Sequence, residues 1–260
     1  MMRISFIGSG RVATHLAQAF ARQYQIVQIF STHFENAQKL ASLVQAEAIH
    51  HLQDFQDNID LCVIAVSDQA IAKVIQQLKP YLKNTLVVHS SGSTHLKVLA
   101  DHYENVGVFY PLQTFSIERE IDWENTPLFI EAQSAASQKK LEKLANSLSN
   151  KVYLYSSEQR LSLHLAAVFA CNFSNACYDM AKQVLDAQQV DFSLLSPLIL
   201  ETAQKAVQNE PRLMQTGPAM RGDHVILNMH EAMLAASQQP HLTHIYRMLS
   251  EQIMSRQKIE

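Results

Sequence analysis

Residues 3–17 read RISFIGSGRVATHLA, and what this stretch does depends on what precedes and follows its two glycines. Residues 4–7 predict a short buried strand, and residues 12–23 carry the spacing of a helix. The turn between them has the pattern GxGxxA. Gly8 permits a tight turn, Gly10 lets backbone approach a phosphate with no Cβ in the way, and Ala13 lets the helix sit close to the strand. The helix start then offers unpaired N–H groups and the positive end of its dipole to an anion. A strand-to-helix turn that binds nothing would also use a glycine here, so the surrounding pattern has to decide.

That pattern is an alternation. Strands are predicted at 26–30, 46–49, 61–66 and 85–90, separated by helices at 36–44 and 69–82. Such continuous apolar runs spaced by helices indicate a mostly parallel sheet covered on both faces. Strand-like segments VGVFYP, TPLFIEA and KVYLYS continue to residue 156, with a helix at 135–148. From residue 157 only helices are expected, at 158–188, 193–208, 218–237 and 242–256. In the first of these Leu161, Leu165, Val168 and Tyr178 recur at helical spacing, which predicts a buried stripe. The fold class is therefore α/β, with a dinucleotide-binding domain at 1–156 and an all-helical domain at 157–260.

In this context Gly8, Ser9, Gly10, Arg11 and Val12 are candidate cofactor contacts. An NAD site ends its second strand with an acid that accepts from the ribose 2′-hydroxyl. Here the strand ends QIFSTHF. Ser31, Thr32 and His33 stand where a carboxylate would repel a 2′-phosphate, and Arg11 could supply the counter-charge, so NADP is expected in preference to NAD. Arg11 could equally be a solvated side chain on the first helical turn. Val66 and Ser67, then Ser90 and Ser91, end the next two predicted strands and should face the cofactor. Ser67 and Asp68 could instead cap the following helix.

Composition bounds the partners. The formal net charge is −3, and residues 1–150 carry 12 basic against 14 acidic side chains, leaving 9 against 10 beyond them. No basic face for nucleic acid is implied. Three cysteines without metal or disulfide spacing, no secretory segment and no apolar run near the length of a bilayer span suggest a cytoplasmic protein with no membrane partner.

The segments ISFIGSGRVATHLA, DLCVIAVSDQAI, VVHSSGS, FYPLQTF, LHLAAVFACNFSNACY and TGPAMRGD, in this order, resemble a family of Rossmann-like proteins with a C-terminal helical domain of unknown function, described as NADP oxidoreductases. More distantly the layout is similar to pyrroline-5-carboxylate reductase and the β-hydroxyacid dehydrogenases. The resemblance implies nicotinamide-dependent hydride transfer at a cleft between domains, to or from a small carbonyl, imine or hydroxy compound, often in a homodimer formed through the helical half. The methionines of that half would suit a dimer surface, although Met more often fills an irregular core.

β-Hydroxyacid dehydrogenases use a Lys on the first long helix, whereas this chain has no Lys between Arg160 and Lys182. A non-catalytic NADP-binding regulator or scaffold is the alternative this raises. His164 and Asn172 lie eight residues apart, so on a regular helix they can share a face with Asn175 nearby. His164 is the candidate proton donor or acceptor, against the bland alternative of a core histidine bonded to backbone. Asn172 would orient substrate or the cofactor amide, or pack helices. Tyr110, Gln113, Asn175 and Arg221 are candidate substrate contacts, Arg221 as a clamp for carboxylate or phosphate. His224 and His230 are six apart, without the spacing of a zinc helix, and no metal is expected.

Overall fold

In a computed structural model the described residues are 1–237 and 240–256. They form two compact units, residues 1–169 and residues from 170 onward. The first unit is built on one eight-stranded sheet of order β3-β2-β1-β4-β5-β6-β7-β8. Its strands are β1 (Arg3–Ile7), β2 (Gln25–Phe30), β3 (Glu47–Ile49), β4 (Leu61–Ile64), β5 (Leu86–His89), β6 (Val106–Pro111), β7 (Leu128–Ala132) and β8 (Val152–Leu154). All neighbours are parallel except β6 and β7, which pair antiparallel with Tyr110 opposite Phe129 and Val108 opposite Glu131.

Helices α1 (Arg11–Ala21), α2 (Phe34–Val44), α3 (Asp68–Leu78), α4 (Lys97–Ala100), α5 (Ala135–Asn146) and α6 (Ser157–Ala167) complete the unit. Alternate residues of β1 enter opposite layers. Ile4 and Phe6 pack with Leu16 and Phe20 of α1 and Leu40 of α2. Ile7 packs on the other side with Ile71 and Ile75 of α3. Burial on both faces is why these strands read as unbroken apolar runs rather than alternating ones.

The chain from 157 onward is helical, as its sequence predicts, but not in the expected segments. Helix α6 is followed by a π segment at Val168–Phe173 and then by α7 (Ser174–Asp186). A π turn adds a residue to the helical repeat, so the face of Asn172 cannot be counted from His164 at 3.6 residues per turn. Helix α8 (Ser196–Gln208) follows a short 3-10 turn at Phe192–Leu195. The single helix expected over 218–237 is two, α9 (Pro218–Arg221) and α10 (His224–Ala236). Gly222 breaks it in the left-handed region at φ +65°, and the Asp223 carboxylate caps α10 by accepting from the Ile226 N–H at 3.2 Å. Helix α11 spans Pro240–Ser255.

The stripe expected to be buried along 158–188 is not. Leu161 is 49% exposed, Leu165 56% and Tyr178 37%, and Val168 is only partly buried. Its helical periodicity marks a face suited to apolar cover. No helix among the described residues is long and apolar enough to cross a membrane.

Candidate active site

Strand order reverses between β1 and β4, the position at which open parallel sheets place ligands beyond the carboxyl ends of their strands. A cleft of about 610 Å³ opens there, within the first unit. This is in the range of about 300–1,000 Å³ usual for small-molecule sites. Its walls are the loops that follow β1, β2, β4, β5 and β6, and His164 of α6.

The two loop glycines answer different demands. Gly8 has φ +112°, and a Cβ there would lie 2.2 Å from the Ala65 carbonyl oxygen. Its N–H donates to Phe30 O at 2.8 Å, and the Ala65 N–H donates to Ile7 O at 2.8 Å, so the ends of β1, β2 and β4 close around this residue. Gly10 is the N-cap of α1, and a Cβ there would meet nothing within 4 Å. The chain itself imposes no need for a glycine at position 10. Helix α1 also has no capping side chain and no acid in its first turn, and it begins with Arg11, a cation placed against the helix dipole. Bare N–H groups, open space and an unfavourably placed cation all suit a bound anion, so the residues present fit the phosphates of a dinucleotide.

After β2, Ser31 is buried and its Oγ accepts from the His33 N–H at 3.3 Å. Ser31, His33 and Asn36 line the cleft, whereas Thr32 is exposed and does not. After β4, Ser67 is the N-cap residue of α3 but makes no side-chain cap bond, so its hydroxyl is not spent on the helix. Asp68, the first residue of α3, accepts a short hydrogen bond from the Ser93 hydroxyl.

The loop after β5 is internally braced. The Ser91 Oγ accepts from the N–H groups of Ser93 and Thr94 at 3.1 and 2.9 Å. The Ser91 N–H donates to His89 Nδ1 at 3.2 Å. Burial, reinforced by the nearby Arg160 cation, pushes the His89 imidazole down to about 3, so it stays neutral and keeps Nδ1 available as an acceptor.

At the end of β6 the Tyr110 hydroxyl lies 3.2 Å from His164 Nδ1. Burial raises the phenol above its ordinary range, the Arg160 cation opposing and the Asp68 carboxylate adding to the shift. Gly92 sits against this pair. A Cβ on Gly92 would be 2.7 Å from His164 Nδ1 and 2.8 Å from Tyr110 Cζ. Its backbone is not left-handed, so position 92 requires glycine for space, not for conformation.

Behind His164, one turn earlier on α6, Arg160 is 1% exposed. It forms an ion pair with Glu131 of β7 and donates to the Thr94 carbonyl at 2.5 Å and to the Ser157 Oγ at 3.2 Å. His15 of α1 holds the opposite wall, its Nε2 lying 2.9 Å from Ser116 O and its ring 5.5 Å from that of Phe115.

The cleft thus brings together Gly8, Ser9, Gly10, Arg11, Val12, Ser31, Val66, Ser67, Ser90, Ser91, Tyr110, Gln113 and His164. Asn172, Asn175 and Arg221 belong to the second unit and are exposed there. Sequence reasoning named His33 and Gly92 only as parts of their strand-end motifs, and missed Asn36 and Phe115 in the lining and Arg160 and His15 behind it. His33 and Gly92 lie in motifs that were themselves legible. Nothing local signals Arg160 or His15.

Known proteins extend this picture. The family model described as NADP oxidoreductase, coenzyme F420-dependent, matches residues 3–91. A domain of unknown function (DUF2520) matches residues 126–253. No curated protein matches the chain. The crystal structure of the "putative NADP oxidoreductase" of Bacteroides fragilis is 41% identical, covers 98% of each chain and superposes with a TM-score of 0.92. The chain belongs to this NADP oxidoreductase family. The oxidoreductase shares its fold with two more distant enzymes. An imine reductase from Myxococcus stipitatus in complex with NADP+ is 16% identical over 98% of this chain and 99% of its own, with a TM-score of 0.70. A reductive aminase from Aspergillus terreus in complex with NADPH and ethyl-5-oxohexanoate is 13% identical over 98% and 94%, with a TM-score of 0.71.

Proposed function

We propose that this oxidoreductase uses NADP(H) to transfer hydride to or from the carbon of a small carbonyl, imine or hydroxy compound. The observation that carries the reading is the open, uncapped turn at Gly10 facing the same cleft as the Tyr110–His164 pair. The dinucleotide, when bound, supplies or accepts the hydride. Gly8–Val12 hold its linked phosphates, and Val66, Ser67, Ser90 and Ser91 line its path. Ser31, His33, Asn36 and Arg11 offer a neutral-to-basic corner for a 2′-phosphate, with no carboxylate to select NAD. In the reduction direction the substrate oxygen or nitrogen must gain a proton. His164 donates it from Nε2 as the imidazolium and is left as the neutral imidazole, its ring held by the Tyr110 hydroxyl 3.2 Å from Nδ1. Tyr110 and Gln113 contact substrate, and Asn172, Asn175 and Arg221 are proposed as further substrate contacts. The cited relatives crystallised with NADP+ or NADPH support the cofactor.

Titration with NADPH and NADH, followed by nicotinamide fluorescence, is expected to show saturable binding of both, with NADPH about tenfold tighter, or roughly 1.4 kcal/mol. Arg11→Ala should erase most of that difference. Absence of saturable binding by either would remove the redox reading. Tight NADPH binding with no oxidation against aldehydes, ketones, keto acids and imines would favour the non-catalytic alternative.

We also propose a homodimer in a reducing, cytoplasmic setting. Leu194, Leu198, Leu200, Val207, Val225 and Met233 are among many large apolar side chains of the helical half that are more than half exposed in the single chain, which is more than a stable monomer usually leaves to water. The cysteines are unpaired thiols, Cys62 buried and Cys171 and Cys177 exposed. Light scattering on the eluting protein should give a mass near twice 29.4 kDa. A mass of one chain across micromolar concentrations would overturn the dimer.

A further inference from the structure

We propose that Arg160 is a positioning residue that fixes the separation between His164 and the Ser90–Gly92 loop. This rests on the reading of His164 and Tyr110 as the proton-handling pair. A guanidinium this buried is tolerated only with close partners, and Arg160 gathers them from three separate segments. Glu131 comes from β7, Ser157 from the first turn of α6, and the Thr94 carbonyl from the loop two residues beyond Gly92. Ser157 ties the same three together. Its Oγ donates to Glu131 Oε2 at 2.8 Å and accepts from the Leu96 N–H at 2.9 Å.

The strand pair that presents Tyr110 also presents Glu131, since Tyr110 lies opposite Phe129 and Val108 opposite Glu131. The sheet therefore sets Tyr110, and the Arg160 cluster keys α6 and the serine loop to that same strand pair. His164 follows Arg160 by four residues and so stands one turn along the same side of α6. Packing alone asks only for an apolar side chain at this depth. A rigid planar fork that holds a carboxylate and a carbonyl at once does something an aliphatic residue or a lysine ammonium cannot. What it holds is a contact with no slack, because the His164 ring already occupies the space of a Gly92 side chain.

The test uses the full chain without cofactor, labelled with nitrogen-15, and follows the His164 ring nitrogens by NMR. Tyr110→Phe supplies the reference position for His164 without its hydroxyl partner. Arg160→Lys and Glu131→Gln are each expected to move the His164 Nδ1 resonance most of the way to that reference. NADPH should still bind saturably, read by fluorescence, because the phosphate turn lies on other elements, with a dissociation constant weakened no more than about tenfold through the Ser90–Ser91 loop. A folded Arg160→Lys or Glu131→Gln chain whose His164 resonance is unmoved would overturn the proposal. If Arg160→Lys does not fold, Glu131→Gln decides. Failure of both to fold would mark the cluster as a folding requirement and overturn the positioning role. If wild-type protein binds no NADPH, the proposed function fails, while the ring resonances still report on the clamp.

Discussion

Gly10→Ala is expected to melt at the wild-type temperature and to bind NADPH at least a hundredfold more weakly, about 2.7 kcal/mol. The two halves of this outcome come from one observation. No protein atom lies within 4 Å of the added methyl, and Gly10 has an ordinary extended backbone at φ −77° and ψ −175°. Alanine therefore fits the chain, and its lower entropy in the unfolded state is mildly stabilising. The methyl stands instead where phosphate oxygens would approach the N–H groups that open α1, whose strength depends on close contact. Gly8→Ala is the control with the opposite signature. Its methyl meets the Ala65 backbone at a left-handed φ, where neither strand end can give way. Strain and overlap together cost about 3 kcal/mol or more, a fall in Tm of roughly 10 °C for a chain of this size. Thermal melts and fluorescence titration on the two variants separate a glycine kept for the ligand from one kept for the fold. Wild-type NADPH affinity in Gly10→Ala would mean that the space before α1 has another use.

The parts of this molecule that were legible in its sequence are those whose cause is local. The strand, the tight glycine, the bare helix start and the small residue at position 13 occupy eleven consecutive residues, 3–13, and each follows from backbone geometry or close packing. The apolar runs of β4 and β5 announce burial on both faces. The end of β2 can be read for charge, and Ser31 lines the cleft as expected, although Thr32 turns outward and His33 and Asn36 take its place. Residues whose role depends on contact with a distant segment leave no such trace. Arg160 looks like one more charged helical residue until it is found against Glu131 and Thr94. His15 looks like a polar interruption in α1 until it reaches Ser116. The periodicity of Leu161 and Leu165 identified an apolar face correctly but not what covers it, because a repeat reports the need for a partner surface and not its source. Counting Asn172 from His164 at 3.6 residues per turn does not hold across the π segment, for a physical reason as well. A π turn is set by the hydrogen bonding of the folded helix and has no residue signature comparable to a proline or a cap.

Gly92→Ala is expected to fold, to bind NADPH saturably and to reduce turnover about a hundredfold on whichever carbonyl or imine proves to be a substrate. Here the atoms in the way of the methyl belong to the His164 and Tyr110 rings, 2.7 and 2.8 Å off. The Tyr110 ring end can swing aside, but the His164 atoms in the way are Nδ1 and Cγ, the latter 2.9 Å off and bonded to Cβ, so the imidazole must turn about χ1 for the chain to fold around the methyl. The pair they form cannot survive that movement, because a hydroxyl to ring-nitrogen contact of 3.2 Å is already near the long end of a hydrogen bond. Displacement of a proton donor by about 1 Å is enough for a loss of this order in rate. The phosphate turn at Gly8–Val12 lies on separate elements and is untouched, so NADPH should still bind saturably, any weakening coming from the Ser90–Ser91 contacts beside the methyl. A deuteride-labelled cofactor adds a further discrimination. If proton delivery rather than hydride transfer has been impaired, the solvent isotope effect on turnover should rise in Gly92→Ala while the effect of cofactor deuteration falls. A variant with full turnover would show that neither ring takes part in the reaction, and would leave the crowding around position 92 as packing.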